Sequence, residues 1–312
     1  MILCCGEALI DMIPEPTVAG RQGYVPHAGG AVFNTSVALG RLGVKTGLLT
    51  GLSNDLFGQQ LSDALRESHV DTRFCIISDR PTTLAFVQLE DGHASYSFYD
   101  ENSAGRMIAP SDLPELPDHT TALYFGGISL ACEPGAITYC TFAERHAATR
   151  LVMLDPNIRP DFIADETRYR TRLDRMIALA DIVKVSDEDL GWIDPAPKSL
   201  EGKANAMMSR GPSLVIVTRG GEGATGYLKD GTVVEVPARQ IQIADTVGAG
   251  DTFNAGVMAS LSQQGLLAKH KRASWDAGTV ATALAFGAKV AAVTVSRIGA
   301  NPPWAEELVA GS

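Results

Sequence analysis

The sequence predicts an α/β fold of three layers, α/β/α, with a mostly parallel central sheet and a small β lid. Short apolar runs at 121–126, 151–155, 181–185 and 213–218 alternate with helical stretches at about 134–148, 168–180 and 199–210. Buried strands separated by helices form a parallel sheet covered on both faces. A β-branched and aromatic stretch at 82–100, TTLAFVQLEDGHASYSFYD, turns at Asp91-Gly92 and reads as a hairpin outside that alternation. A glycine-rich turn at 248–250 opens directly into a helix of small residues.

The elements follow in order. The run at 2–5, ending at Gly6, reads as a fully buried strand. Pro and Gly are frequent from 13 to 30, so short extended pieces at best are expected there. Residues 34–42 look helical and 44–50 read as a strand. Leu56, Phe57, Gln60, Leu61, Ala64 and Leu65 recur at three- and four-residue spacing, which predicts an amphipathic helix over 55–68. A second hairpin at 224–237 turns at Asp230-Gly231, and helices at about 250–264 and 274–292 close the chain. No repeat, low-complexity tract or linker interrupts the pattern. A single domain over 1–312 is expected, with excursions at about 13–30 and 82–104 of the kind that covers an active site.

Composition narrows the function. With 312 residues, 45% hydrophobic and 20% charged, the chain is globular in character. A net charge of -10 argues against a nucleic-acid partner. Cys4, Cys5, Cys75, Cys132 and Cys140 are odd in number and form no C-x-x-C pair, which fits a reducing cytoplasm. No Cys/His cluster has zinc spacing. Glu7 and Asp11 interrupt the apolar N-terminus and no basic stretch precedes it, unlike a signal peptide. No uncharged apolar run reaches the ~18 residues of a membrane span, so no membrane partner is expected.

The most informative segment is DTVGAGDTFNAG at 245–256. Gly248, Ala249 and Gly250 allow a tight turn that presents backbone N–H groups at a helix N-terminus, an anion site by geometry and dipole. Asp251 in the first turn would repel a bound phosphate. It makes sense as the acceptor of a proton from a hydroxyl that attacks a phosphoryl group, while the amides stabilise the transition state. An ordinary capped helix is the plainer alternative.

DTVGAGDTFNAG resembles the C-terminal signature of the ribokinase-like (PfkB) carbohydrate kinases. GGAVFNTSVALGRLG at 29–43 resembles that family's N-terminal signature, and the two stand in the family's order. GEALIDMIP at 6–14, DPNIRP at 155–160, KVSDEDL at 184–190 and VTRGGEG at 217–223 look like further family segments. The wording of GEALIDMIP, NSAGRM at 102–107 and SRIGANPP at 296–303 is most similar to the fructokinases of the family. The resemblance implies a ribokinase-like fold and transfer of the γ-phosphoryl of MgATP to a sugar hydroxyl, D-fructose to fructose 6-phosphate. A 2-keto-3-deoxygluconate kinase is the nearest alternative. Ala31 stands where ribokinases usually carry lysine, which counts against ribose.

Site residues follow from the chemistry and the resemblance together. Asp11 is expected at the close of the first strand, where an α/β sheet places ligand groups; a turn aspartate is the alternative. The resemblance implies that Asp11, Gly29, Gly30 and Asn34 contact the sugar, with Asn157 holding substrate or orienting its neighbours. Arg159 suits an anionic transition state through its fork of donors. KVSDEDL departs from the family's usual Asn-x-x-Glu, carrying Ser186 and Asp189 at those places. Ser186 is carried over to phosphate positioning and Asp189 to Mg²⁺ through water. The same residues read as a capped helix start. Gly221-x-Gly223-x-x-Gly226 matches a dinucleotide fingerprint, but a hairpin follows it where that fingerprint needs a helix. By resemblance Thr218, Gly220 and Gly223 instead lie along ATP, and Gly287 and Ala288 let adenine approach backbone; close helix packing is the alternative there. The resemblance also implies K⁺ on backbone carbonyls at Asp245 and Val247, near 296–299. Tyr96 and Phe98 share one face of the first hairpin, to cover the sugar or to pair lids in a homodimer.

Two rivals belong to other classes. Gly127-Ile128-Ser129-Leu130-Ala131 falls one residue short of a G-x-S-x-G nucleophile elbow, with Asp181 and His270 as partners for a hydrolase. That reading leaves DTVGAGD unexplained. A non-catalytic sugar or nucleotide sensor would be signalled by loss of the turn aspartate, and Asp251 is present.

Overall fold

Alternate residues of the first strand enter two different cores. Ile2 and Cys4 pack with one hydrophobic cluster and Leu3 and Cys5 with another, one on each face of the sheet. The structure is a computed structural model that describes the backbone of residues 1–90 and 93–310, and all their side chains except those of 88–90, 93–96 and 310. The Asp91-Gly92 turn and the Tyr96 side chain lie outside the described residues.

The chain opens with β1 (Ile2–Cys5), β2 (Leu9–Pro16), β3 (Gln22–Gly29) and α1 (Ala31–Arg41). β4 (Thr46–Leu49) and β5 (Gly51–Ser53) lead to α2 (Leu56–Glu67), whose N-cap Asp55 accepts the Gly58 N–H at 2.8 Å. β6 (Val70–Asp71), β7 (Ile76–Ser78) and the strand pair β8 (Leu84–Glu90) and β9 (His93–Tyr99) follow. The alternating part comprises β10 (Ala122–Gly126), α3 (Gly135–His146), β11 (Leu151–Asp155), α4 (Glu166–Leu179), β12 (Ile182–Ser186), α5 (Asp187–Ile193), α6 (Leu200–Met208) and β13 (Leu214–Thr218). β14 (Ala224–Leu228), β15 (Val233–Val236), α7 (Ala249–Gln263), α8 (Ala277–Val295) and α9 (Ala305–Ala310) complete it.

Nine strands form the central sheet in the order β15-β14-β13-β12-β11-β10-β1-β4-β6. Its pairs are parallel except β13–β14 and β14–β15, which are antiparallel. Residues of α1, α7 and α8 build the core on one face, and those of α3, α4 and α6 the core on the other. α8 is apolar and long enough by composition to cross a membrane, and it packs against α7, β14 and β15.

The lid is a separate sheet in the order β3-β2-β8-β9. Here the structure corrects the expectation for 13–30. That stretch holds most of two eight-residue strands paired from Leu9–Gly29 to Pro16–Gln22. Pro14 and Pro16 are tolerated because β2 pairs with β8 only at residues 10–12, so the missing donors fall beyond that ladder.

Candidate active site

A cavity of about 350 Å³ opens at the C-terminal ends of the central strands. Glu7 follows β1, Gly127 follows β10, Asp155 ends β11 and Lys184 lies in β12, and all four line it. β1 has β4 on one side and β10 on the other, so the cavity sits where the strand order reverses, the usual ligand position of such sheets.

The N-terminus of α7 supplies one wall, with Gly248, Ala249, Gly250 and Asp251. Gly248 has φ 75°, and a Cβ there would fall 2.7 Å from the Cβ of Ala300, so conformation and space both demand glycine. No side chain caps α7, which leaves its positive dipole end to the cavity. Asp251 is buried in the first turn. Asn34 Nδ2 donates to its Oδ2 at 2.9 Å, and Thr35 Oγ1 donates to its backbone carbonyl at 3.1 Å. Burial foremost, with Asp155 and Glu7 adding to it, pushes the Asp251 carboxyl up to about 7 against the opposing pull of Asn34 and Lys184.

The lid faces this wall. Asp11 does not close the first strand as expected; it sits within lid strand β2 and still lines the cavity. Asp11 pairs with Ala85 of β8, and Ala85 with Phe98 of β9, so Asp11 and Phe98 share the cavity face. Burial pushes the Asp11 carboxyl up to about 6. Gly30 lines the cavity, whereas Gly29 does not: a Cβ on Gly29 would lie 2.1 Å from Asp11 Oδ2, so its bareness makes room for that carboxylate. Phe98 meets Phe162 edge-on with ring centroids 3.9 Å apart, and both rings border the cavity.

The loop after β11 brings in Asn157 and Arg159. Asn157 adopts φ 42°, a conformation asparagine tolerates, and its N–H reaches Asp155 Oδ1 at 3.2 Å. Arg159 is exposed and its Nη1 donates to the Ile158 carbonyl at 3.0 Å.

A second cavity of about 350 Å³ lies across the same turn. Thr218, Gly220, Gly223 and Ala288, four of the residues expected along ATP, line it, and Ile241, Ile243 and Val295 give it apolar walls. Thr246, Ala249 and Gly250 border both cavities.

Besides Gly29, four expected residues line neither cavity: Ser186, Asp189, Asp245 and Gly287. Gly287 does not line the second cavity; it meets Gly256 where α7 crosses α8, and a Cβ on Gly256 would lie 2.7 Å from its Cα. Ser186 caps α5, its Oγ accepting the Asp189 N–H at 2.9 Å. The Asp189 carboxylate accepts backbone N–H groups of Ile158 at 3.0 Å and Ser186 at 3.3 Å, one on each oxygen, and lines neither cavity. Asp189 therefore fastens the 157–159 loop to the start of α5.

Asp245 joins two loops. Its Oδ1 accepts the Val247 N–H at 3.0 Å and its Oδ2 the Gly299 N–H at 2.9 Å, and Val247 borders the first cavity. The hydrolase constellation does not form. Ser129 Oγ donates to the Gly126 carbonyl at 2.6 Å, and Asp181 pairs with Lys269 and Arg272.

Sequence reasoning missed Glu7, Lys184, Phe162 and the isoleucines of 241–243. Lys184 carried a readable signal, a lone charge inside the buried strand IVKVS. Glu7 Oε1 accepts the Ala31 N–H at 3.1 Å and its Oε2 the Ser129 N–H at 3.2 Å, contacts between chain segments that no local pattern announces.

Residues 1–307 match the family described as "pfkB family carbohydrate kinase". A fructokinase of Rhizobium leguminosarum bv. trifolii is 51% identical over 280 residues, 88% of this chain and 84% of that one. The structure of a Xylella fastidiosa fructokinase with bound ATP is similar at a TM-score of 0.88 and 29% identity, covering 99% of this chain and 98% of that one. A Vibrio cholerae O395 fructokinase with fructose, ADP and calcium bound is similar at 0.87 and 27%, covering 99% and 97%. Two cavities meeting at an uncapped helix turn, and likeness along nearly the full length, lead to one conclusion: the chain belongs to the pfkB family of carbohydrate kinases.

Proposed function

We propose that the protein is an ATP-dependent fructokinase that phosphorylates the C6 hydroxyl of fructose to give fructose 6-phosphate. The observation that carries this reading is the shared α7 turn, with a polar cavity holding Asp251 on one side and an apolar cavity on the other. The 51% identical fructokinase supports the choice of sugar.

In this mechanism fructose lies in the first cavity against Asp11, Gly30 and Asn34, with Asn157 orienting it. Adenine lies between Ile241, Ile243 and Ala288, and the phosphates reach the turn past Thr218 and Gly220. Asp251 accepts the proton of the attacking hydroxyl as the γ-phosphoryl group moves in line. The α7 amides and Arg159 offset the developing negative charge. The Phe98–Phe162 contact closes the lid on the body and keeps water from the phosphoryl group.

Mg²⁺ would be held mainly by the nucleotide phosphates and water. Among the described residues no three His, Cys, Asp or Glu side chains gather as a metal site. Mg²⁺ would supply neutralisation of the phosphate charge there. K⁺ on carbonyls of 245–247 belongs to the same reading, as does action in the cytoplasm, where Cys4, Cys5, Cys75, Cys132 and Cys140 stay free. Pairing of two chains through the lid is supported by Tyr24 and Tyr99, exposed on the face that Phe86 shares with them.

The test is ADP release from MgATP with fructose, glucose, ribose, tagatose, 2-keto-3-deoxygluconate or adenosine, with and without K⁺, and with Asp251→Ala as blank. Turnover on fructose that the blank loses supports the proposal. Turnover on another sugar alone replaces the substrate, and ATP binding without turnover on any points to a sensor.

A further inference from the structure

The first cavity gathers more buried charge than sugar binding needs. Lys184 Nζ lies 3.0 Å from Asp155 Oδ2, and the two side chains are 7% and 2% exposed. Asp155 is held from three directions: its Oδ2 also accepts from Asn254 Nδ2 at 2.7 Å, and its Oδ1 accepts the Asn157 N–H at 3.2 Å. The other amide hydrogen of Asn254 goes to the Tyr124 hydroxyl at 3.0 Å. On the turn side, Lys184 Nζ stands 3.3 Å from the point where a Gly250 side chain would begin. No side chain therefore separates the ammonium from the turn that carries Asp251.

A buried ion pair is a costly way to fill a sheet interior, and apolar residues of similar volume would serve the fold as well or better. The surroundings give the pair another use. Asp251 is faced by Asn34 from α1, Glu7 after β1, Tyr124 from β10, Asp155 from β11 and Lys184 from β12, with Asp11 and Arg159 on the same cavity. Glu7, Asp155 and Asp251 are three buried carboxyl groups, and Lys184 is the buried cation among the groups that act on Asp251.

We propose that Lys184 and Asp155 form a positioning pair that sets the ionisation of Asp251, the lysine favouring its carboxylate and the aspartate opposing it. The inference rests on the reading of Asp251 as the base for the sugar hydroxyl. A base works best when its proton affinity matches the operating pH, so a cation whose charge is partly offset by a fixed neighbour keeps Asp251 neither permanently charged nor permanently protonated. The directions already discernible at Asp251 agree: Asp155 raises its proton affinity and Lys184 lowers it.

The test reads Asp251 directly. The carboxyl carbon of Asp251 is followed by NMR in protein labelled at aspartate, assigned by its loss in Asp251→Asn, and titrated in the wild type, Lys184→Met and Asp155→Asn. The expected result is opposite displacement: a midpoint on the order of one pH unit higher in Lys184→Met and lower in Asp155→Asn. Lys184→Arg is expected to keep the wild-type midpoint. Lys184→Met leaves Asp155 buried without its cation and risks unfolding; Asp155→Asn and the double variant then decide, the double variant titrating above Asp155→Asn. Midpoints that stay put, or that move in the same direction, overturn the inference. The acid limb of kcat on fructose, measured in parallel, should follow the same displacements. A wild type inactive on fructose would refute the substrate reading while the titration still decided the role of the pair.

Discussion

Asn34 donates a 2.9 Å hydrogen bond to Asp251, closing a span of 217 residues between the start of α1 and the start of α7. The bond leaves the amide oxygen of Asn34 and one carboxylate oxygen of Asp251 for a ligand. It also fixes the carboxylate against the cavity wall, since Thr35 of the same helix holds the Asp251 carbonyl. One helix thus orients both the side chain and the backbone of the expected base.

Asp251→Ala is expected to lower kcat by roughly 10²–10⁴-fold, the usual contribution of a positioned base, while nucleotide affinity changes much less. Steady-state kinetics with a separate nucleotide-binding titration checks both parts. A loss below tenfold would remove Asp251 from the role of base.

Asp251→Asn is expected to stabilise the fold at alkaline pH. Burial raises the carboxyl from its ordinary 3.8 to about 7, so between those values the folded state binds more protons than the unfolded chain. Stability contributed by this group is therefore present at low pH and lost as pH rises toward about 7. The cost of the ionised form is on the order of 4 kcal/mol. The variant should melt above the wild type at pH 8, with the difference closing toward pH 4. A difference independent of pH would contradict it.

Gly29→Ala is expected to act on sugar binding through Asp11. The new Cβ would sit 2.1 Å from Asp11 Oδ2, so the Asp11 carboxylate must shift from the position it holds on the cavity. KM for fructose should rise roughly 10–100-fold, the loss of a hydrogen bond or two to a charged group. KM for ATP should stay near its wild-type value, because neither Gly29 nor Asp11 lines the second cavity. Equal rises in both would mean a general loss of structure.

Gly287→Ala is expected to destabilise the protein without altering nucleotide binding. The added Cβ would lie 3.0 Å from both the Phe253 ring and the Phe253 carbonyl, and the carbonyl belongs to α7 and cannot swing away. Overpacking of this kind costs about 1–3 kcal/mol. Thermal melts read the loss, and an unchanged KM for ATP in the folded fraction separates a packing role from contact with adenine.

The sequence made the alternation of β10 to β13 with α3, α4 and α6 readable because each strand is buried on both faces and each helix is bounded by turn residues. Asp251, Asn34 and Thr218 were readable because their segments keep glycines where a ligand or a helix start needs them. Of the lid, β8 and β9 were readable as a hairpin, whereas β2 and β3 were not, since Pro14, Pro16 and Gly23 are poor strand residues, the two prolines tolerated only where β2 runs beyond its ladder with β8. The 187–193 helix was visible only as a cap, and seven residues give too short a period to read. Gly287 and Ala288 are adjacent small residues that local pattern cannot separate; helix rotation turns one to α7 and the other to the second cavity. Glu7 and Lys184 act across strands, so their partners are set by sheet order.

Thr246, Ala249 and Gly250 form a party wall between the two cavities, and the short turn into α7 sets the separation of what lies on either side. A single molecule carrying a hexose and an adenosine joined by a tether of that span would engage both chambers at once. Its gain over the separate halves follows from the high effective concentration a matched tether creates, and falls away as the tether is shortened or lengthened. A series of such bisubstrate compounds would act as a ruler for the reaction distance in solution.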